Sequence, residues 1–403
     1  MTQQQQSINY EEQEHVYPQQ IDYRAAFQEN LSNSSLLLQI VKTIKIGTDM
    51  SSFASPVNFD SGVSALELTA EDLRPCDDII GVYALQSAEE RFLKVLYYLM
   101  SPLGTLPKPG LAPTKPFNPI LGEEFNCHWN HADGSQTVAH LEQISHHPPI
   151  LSGYFHNVQN NFAVELTQRP FPVFLGNKFE VTFSGVARVH LFLPPTSVEQ
   201  EKEAIRETYD FVRPSLCGKG LFIGKGCFEL NRELKLSCVR TGLEAVIQFK
   251  SGSVVKGKIK QRSEKNGKRV RIYDIDGSIL NQVFLTDLRL KQKRVFYDAI
   301  AIEHLHKIVK PVSKQKDNES RRVWHGVTYN IRTKNLDLAG QLKKEIEEEQ
   351  RQKAKRNKGA THAPQHFQPT NESEDKVQFH VYNKPVTRYH APIVQEKVED
   401  DLD

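Results

Sequence analysis

The sequence predicts a β-dominated α+β protein built on a large antiparallel sheet closed into a barrel. From about residue 136 to 300 the chain runs through VAHLEQI, FAVELTQ, KFEVTFSGVARVHLFL, LKLSCVR, EAVIQFK, SVVKGKIK, RVRIYDI and KQKRVFYDAI, all rich in β-branched and aromatic residues. Gly, Asn and Lys-Asn-Gly turn signals separate these runs. No helical period intervenes, so successive strands turn back on one another instead of crossing over. An open sheet of so many strands would be unusually wide and leave two bare edges, and closure removes both.

Before this block, residues 1–33 are rich in Gln, Glu, Asn and Ser and have too little apolar surface to offset the entropy of ordering. They read as a mobile polar arm. Leu37, Ile40, Val41 and Ile44 then fall at helical spacing, with Asn33 or Ser34 as N-cap and Gly47 past the end. Such a short amphipathic helix is marginal alone, so its apolar face docks on the rest of the protein or on a membrane interface. A second helix starts at the capping box Ser87 to Glu90, continues through Phe92, Leu93, Leu96 and Tyr97, and stops before Pro102. After the β block, a charged helix is predicted from Leu336 to Arg356, and the chain ends in a polar tail closing on EDDLD.

Composition narrows the function. Lys plus Arg total 51 against 49 Asp plus Glu, so the net charge of +2 excludes a protein built mainly to bind nucleic acid, and any basic site is local. No run of about 18 apolar residues occurs, and the MTQQQQ start does not resemble a secretory leader. The five cysteines are dispersed without a CxxC pair and read as reduced thiols of a cytoplasmic protein.

The most unusual segment is Glu142-Gln143-Ile144-Ser145-His146-His147-Pro148-Pro149. Adjacent histidines on an extended strand point to opposite sides, a poor bidentate metal site; solvated histidines, anion binding, and metal or catalytic roles all stay open. Cys127, His128, His131 and His140 lack the paired spacing of structural zinc, and no metal is expected. The glycines from Gly218 to Gly226 precede strand-like sequence rather than a helix, so they read as strand bends. Lys343, Glu347 and Arg351 share one helix face, as an exposed ion-pair ladder or as two cationic teeth with a carboxylate between them. From Lys256 to Arg294, twelve Lys/Arg face four Asp/Glu, a solvated rim or a surface for anionic lipid.

These residues resemble a known family. EQISHHPP is similar to the EQVSHHPP signature of the oxysterol-binding-protein-related lipid-transfer proteins, with Ile144 in place of Val. Lys115-Pro116-Phe117-Asn118-Pro119-Ile120-Leu121-Gly122-Glu123 looks like the family's KPxNPxLGE segment. Phe296-Tyr297-Asp298-Ala299, Glu319-Ser320-Arg321-Arg322-Val323-Trp324 and Ile346-Glu347-Glu348-Glu349-Gln350-Arg351 match further motifs in order.

The resemblance implies a near-closed antiparallel barrel around a lipid tunnel, with an N-terminal helical lid and flanking helices. It divides the chain into a polar arm at 1–33, lid helix and lid loop at 34–56, a helical segment at 57–116, the barrel at 117–303 and a C-terminal helical region at 304–403. It further implies a phosphoinositide headgroup held by Lys115, Pro116, Phe117, Asn118, His146, His147, Lys343, Glu347 and Arg351. Met50, Ser51, Ser52, Phe53, Ala54 and Ser55 would form the lid loop over it. The expected function is to exchange sterol and phosphatidylinositol 4-phosphate between membranes through one tunnel, without enzymatic activity or cofactor. The sterol-contacting residues are not assigned. Transient contact with anionic membranes and no nucleic-acid partner complete the expectation. Phosphatidylserine in place of sterol, a lipid sensor of the same fold, or a His-dependent phosphoinositide hydrolase are the alternatives.

Overall fold

A 14-stranded sheet dominates the computed structural model, which describes residues 45–50, 56–105, 115–195, 205–220, 227–263, 265–356, 362–369 and 379–381. Ahead of the sheet, β1 (Asp60–Ser64) leads into α1 (Ala65–Asp72), α2 spans Ala88–Met100, and β2 (Lys115–Phe117) lies parallel to β1. The sheet comprises β3 (Glu124–Asn130), β4 (Gln136–His146), β5 (Pro149–Asn157), β6 (Phe162–Phe174), β7 (Lys178–Leu193), β8 (Ile205–Val212), β9 (Ser215–Lys219) and β10 (Cys227–Asn231). It continues through β11 (Glu233–Cys238), β12 (Leu243–Lys250), β13 (Val254–Arg262), β14 (Arg269–Ser278), β15 (Gln282–Asp287) and β16 (Gln292–Asp298). After it come α3 (Ser320–Val323), α4 (His325–Arg332), α5 (Leu336–Arg356) and the pair β17 (Phe367–Pro369) and β18 (Phe379–Val381).

The strands follow one another in chain order from β3 to β8, then β11 to β16, all antiparallel, while the β9–β10 hairpin branches from β7. Alternate residues of each strand face one interior. Phe125, Cys127 and Trp129 of β3, Val189 and Leu191 of β7 and Val283 and Leu285 of β15 belong to a single core with Leu66 of α1 and Phe92 of α2. The sheet therefore curls around α1 and α2, the barrel-like fold expected, but its terminal strands β3 and β16 share no ladder. Both edges are covered. The returning chain pairs Ile308 with His128 and Glu319 with Glu124 along β3, and Tyr97 of α2 packs on Phe296 and Tyr297 of β16. Covering an edge blocks foreign pairing as closure does.

The two ends of this barrel differ. The β4–β5 turn at the signature histidines and the β6–β7 turn lie at one end; antiparallel order puts the β3–β4, β5–β6, β11–β12, β13–β14 and β15–β16 turns at the other. That far end is plugged by the chain entering α2. Gly81 N–H donates to Asn160, Asp77 pairs with His131, and Glu89 receives both guanidinium nitrogens of Arg289. Ser87 caps α2 by accepting from Glu90 N–H at 3.3 Å, as the capping box predicts.

The segment 45–50 lies along β6: Gly47 N–H donates to Phe174 O at 2.7 Å and Met50 N–H to Pro172 O at 2.8 Å, with Met50 buried. The amphipathic helix expected around Leu37 to Ile44, and Ser51, Ser52, Phe53, Ala54 and Ser55 of the lid loop, fall outside the described residues.

One buried carboxylate joins the layers. Glu123 accepts hydrogen bonds from Ser64 Oγ at 2.5 Å, Ser320 Oγ at 2.7 Å, Trp324 Nε1 at 2.9 Å and Ile120 N–H at 3.0 Å. Burial pushes its carboxyl upward, and the four donors oppose that. Replacing Glu123 by Gln turns an acceptor into a donor facing donors, and is expected to cost about 3 kcal/mol of stability by urea denaturation.

Candidate functional site

The site grows from the parallel pair β1 and β2, which sets Asp60 opposite Lys115. Helix α5 packs across them and sends Lys343 inward, where its Nζ meets Asp60 Oδ2 at 2.5 Å; Asp60 is 2% and Lys343 8% exposed. Lys115 is close enough to feel Asp60, Lys343 and Glu347. Burial leads in pulling its ammonium below the ordinary lysine value, and Lys343 adds to this, while Asp60 and Glu347 oppose it. The charged cluster is thus two lysines and two carboxylates drawn from a strand pair and a helix far apart in sequence.

The histidines arrive from β4. Phe117 stacks on Trp324 at 4.5 Å, which fixes the loop that carries Pro119, and Pro119 O lies 3.2 Å from Nδ1 of His146. That contact assigns the proton to Nδ1 and leaves Nε2 for a ligand. Burial leads in lowering the basicity of His146, with a further push from His147, whose ring centre is 4.6 Å away. His147 and Asn118 are exposed beside it, and Pro116 is half-buried on β2. An exposed, hydrogen-bond-rich patch over buried lysines suits a multiply charged anion.

The sequence-predicted residues do not all gather here. Lys115, Glu347 and Lys343 form the charged cluster, and His146 is held by the loop that follows β2. Arg351 is exposed and bonded to Glu348 at 2.9 Å, so the helix face is half inward tooth and half outward ion pair. Asp60 escaped the sequence reading, because nothing in VNFDSGVS signals a partner some 55 residues on.

The first residue of the signature also escaped it. Glu142 is fully buried and accepts from Gln365 N–H at 3.0 Å, His366 N–H at 3.2 Å and His362 Nε2 at 3.2 Å, pinning the segment 362–369 across β4. Phe367 of that segment is buried against Ile144, Tyr154 and Phe192. Beneath it Tyr154, His156, His140 and His366 stack at 5.3, 6.0 and 5.6 Å. Among the described residues no group of three or more His, Cys, Asp and Glu is arranged to hold a metal ion. His131, one of the zinc candidates, directs its ring nitrogens to Asp77 and Thr137.

A curled sheet plugged at one end, with a basic, histidine-lined patch at the other, defines a barrel-like binding protein with an anion site at its mouth. The comparisons give the family. The oxysterol-binding protein family profile matches residues 37–333, and this chain belongs to that family. Oxysterol-binding protein 10 of Dictyostelium discoideum is 30% identical over 318 residues, covering 77% of this chain and 76% of its own. Oxysterol-binding protein homolog 7 of Saccharomyces cerevisiae is 28% identical over 351 residues, covering 86% and 74%. In fold, the chain is similar to the Osh1 ORD domain in complex with cholesterol, with a TM-score of 0.68, 19% identity, and 94% and 95% of the two chains covered. It is also similar to the Osh3 ORD in complex with PI(4)P from Saccharomyces cerevisiae, with a TM-score of 0.61, 19% identity, and 86% and 89% covered.

Two outcomes test this geometry. Asp60→Asn removes the counter-charge of a buried lysine and is expected to cost about 3 to 4 kcal/mol in denaturant titration, with Lys343→Met in the same chain restoring part of it. Burial, the leading cause for both, holds His140 and His156 at about 4, below the free value, so their contribution is full above pH 6.5 and is lost as pH falls toward 4. His366, raised by its hydrogen bond to Glu124, acts with the opposite sign. With two against one, the denaturation midpoint is expected to drop between pH 6.5 and 4, and His140→Gln with His156→Gln to flatten that drop.

Proposed function

We propose that this protein binds one lipid at a time, a sterol or phosphatidylinositol 4-phosphate, and exchanges them between membranes as a peripheral, non-enzymatic carrier. The observation that carries the reading is the convergence of Lys115, Lys343, Glu347 and Asp60 beside His146 and His147 at the open end of the barrel. Burial outweighs the carboxylates in disfavouring the charge of Lys115; a bound phosphate would reverse that balance. In this role Lys115 and Lys343 supply charge, His146 Nε2 and the exposed His147 and Asn118 supply hydrogen bonds, and Glu347 with Asp60 keeps the ammonium groups in place. Pro116 and Phe117 hold the strand, Arg351 guards the exposed rim, and the lid loop from Met50 to Ser55 covers the headgroup.

Apolar side chains on the inner face, such as Leu141, Leu151, Phe155, Val164 and Leu166, suit the hydrocarbon of either lipid. Exposing a sterol of some two dozen carbons to water costs on the order of 15 to 20 kcal/mol at about 0.8 kcal/mol per methylene-sized group, and enclosure removes that barrier. The family, and the fold shared with domains described in complex with cholesterol and with PI(4)P, support both ligands. Ligands that share one enclosure exclude each other, and exclusion turns a carrier into an exchanger. Among the described residues no helix is long and apolar enough to cross a membrane, in keeping with peripheral contact.

The test is native mass spectrometry after incubation with liposomes containing a sterol, phosphatidylserine and phosphatidylinositol 4-phosphate. The expected result is one lipid per chain, sterol or phosphoinositide and never both. Lys115→Ala, or His146→Ala with His147→Ala, is expected to lower phosphoinositide loading at least about 10-fold and leave sterol loading intact. Two lipids on one chain would rule out exchange, phosphatidylserine in place of sterol would change the second cargo, and phosphate release would make the protein a hydrolase.

A further inference from the structure

Three neighbouring turns at the plugged end of the barrel carry a basic, apolar-tipped rim that the headgroup site does not use. Val239 and Arg240 cap β11–β12, residues 262–269 form the β13–β14 turn, and Leu288 to Lys291 form the β15–β16 turn. Because β11 to β16 are consecutive antiparallel neighbours, these alternate turns share one end of the sheet.

Two properties set this rim apart. Its apolar residues point to water: Val239 is 88% exposed and Leu290 66%, with Leu288 beside it at 39%. Its cations are also in excess. Arg289 is committed to Glu89 and Asp287, and Arg269 to Glu244, but Arg240, Arg262, Lys265, Lys268 and Lys291 are exposed and make no ion pair among the described residues. Folding gains nothing from five unpaired cations around bare Val and Leu tips.

We infer that this rim docks on an anionic lipid bilayer, at the end of the molecule opposite the headgroup site. Cations ringing apolar tips match the layered chemistry of such a surface: lysine and arginine meet headgroup phosphates while Val239 and Leu290 enter the acyl boundary. Nucleic acid fits less well, since none of the three turns offers an aromatic face for base stacking and the chain as a whole carries only +2. A carrier gripping one bilayer by this rim keeps its histidine-lined mouth turned away, toward a second membrane. The bilayer contact itself stands on charge and exposure alone; only its use in exchange rests on the function proposed above.

The test is flotation of the full chain with phosphatidylcholine vesicles, with and without phosphatidylserine, at low and high salt. Lys265→Glu, Lys268→Glu and Lys291→Glu together are expected to weaken binding to phosphatidylserine vesicles by at least about 100-fold, with phosphoinositide loading unchanged. Val239→Ser with Leu290→Ser leaves charge untouched and is expected to weaken the same binding about 10-fold. Undiminished binding by the charge-reversed protein, an equal loss on neutral vesicles, or a preference for RNA over phosphatidylserine vesicles would overturn the assignment. Failure of lipid loading with rim-dependent flotation intact would instead strike only at the exchange function.

Discussion

The architecture of the mouth depends on one buried carboxylate. Glu123 gathers donors from the strand that opens the described core, from its own loop and from the helices that follow the barrel. Ser64, one of those donors, is also the N-cap of α1, so the same hydroxyl starts a helix and anchors it. With these pieces joined, Phe117 stacks on Trp324, β2 lies beside β1, and α5 is held where Lys343 reaches Asp60. The charge cluster is thus a consequence of packing around Glu123. A buried acceptor with this many donors is costly to disturb, because each donor left behind is also buried.

The signature octapeptide divides its work between two faces of one strand. Its histidines lie at the tip of β4 beside Pro119, while Glu142 sits four residues earlier under the C-terminal segment. Even spacing puts Glu142 and His146 nominally on one side of a strand, but the register shifts between Gln143 and Ser145 and re-aims the tip. The irregularity lets the same short stretch clamp the chain's return and present a ligand-binding edge.

Charge is handled differently at the two ends. At the mouth, lysines are buried and matched by Asp60 and Glu347, an arrangement that holds its geometry and receives further negative charge from a ligand. At the plugged end the cations are exposed and largely unmatched, so their influence is long-range and salt-dependent. One end is suited to selecting a headgroup and the other to recognising a surface.

The sequence by itself determined the elements whose signal is local. The antiparallel meander followed from β-rich runs without helices between them, α5 occupies the expected Leu336–Arg356, and α2 starts at the capping box. It also singled out the histidine pair and three of the four charged members of the cluster. What it did not contain was the orientation of the late helix. Lys343, Glu347 and Arg351 are spaced by four, but at 3.6 residues per turn each such step drifts by about 40°, so Arg351 has rotated roughly 80° from Lys343. Packing on β1 buried the first and left the last to Glu348. Asp60, Glu123 and the hold of Glu142 on the C-terminal segment were equally invisible, since a carboxylate reads the same in sequence whether water or four buried donors surround it. Only the tertiary structure decides which, because burial and partner choice are set by chain segments that periodicity does not connect.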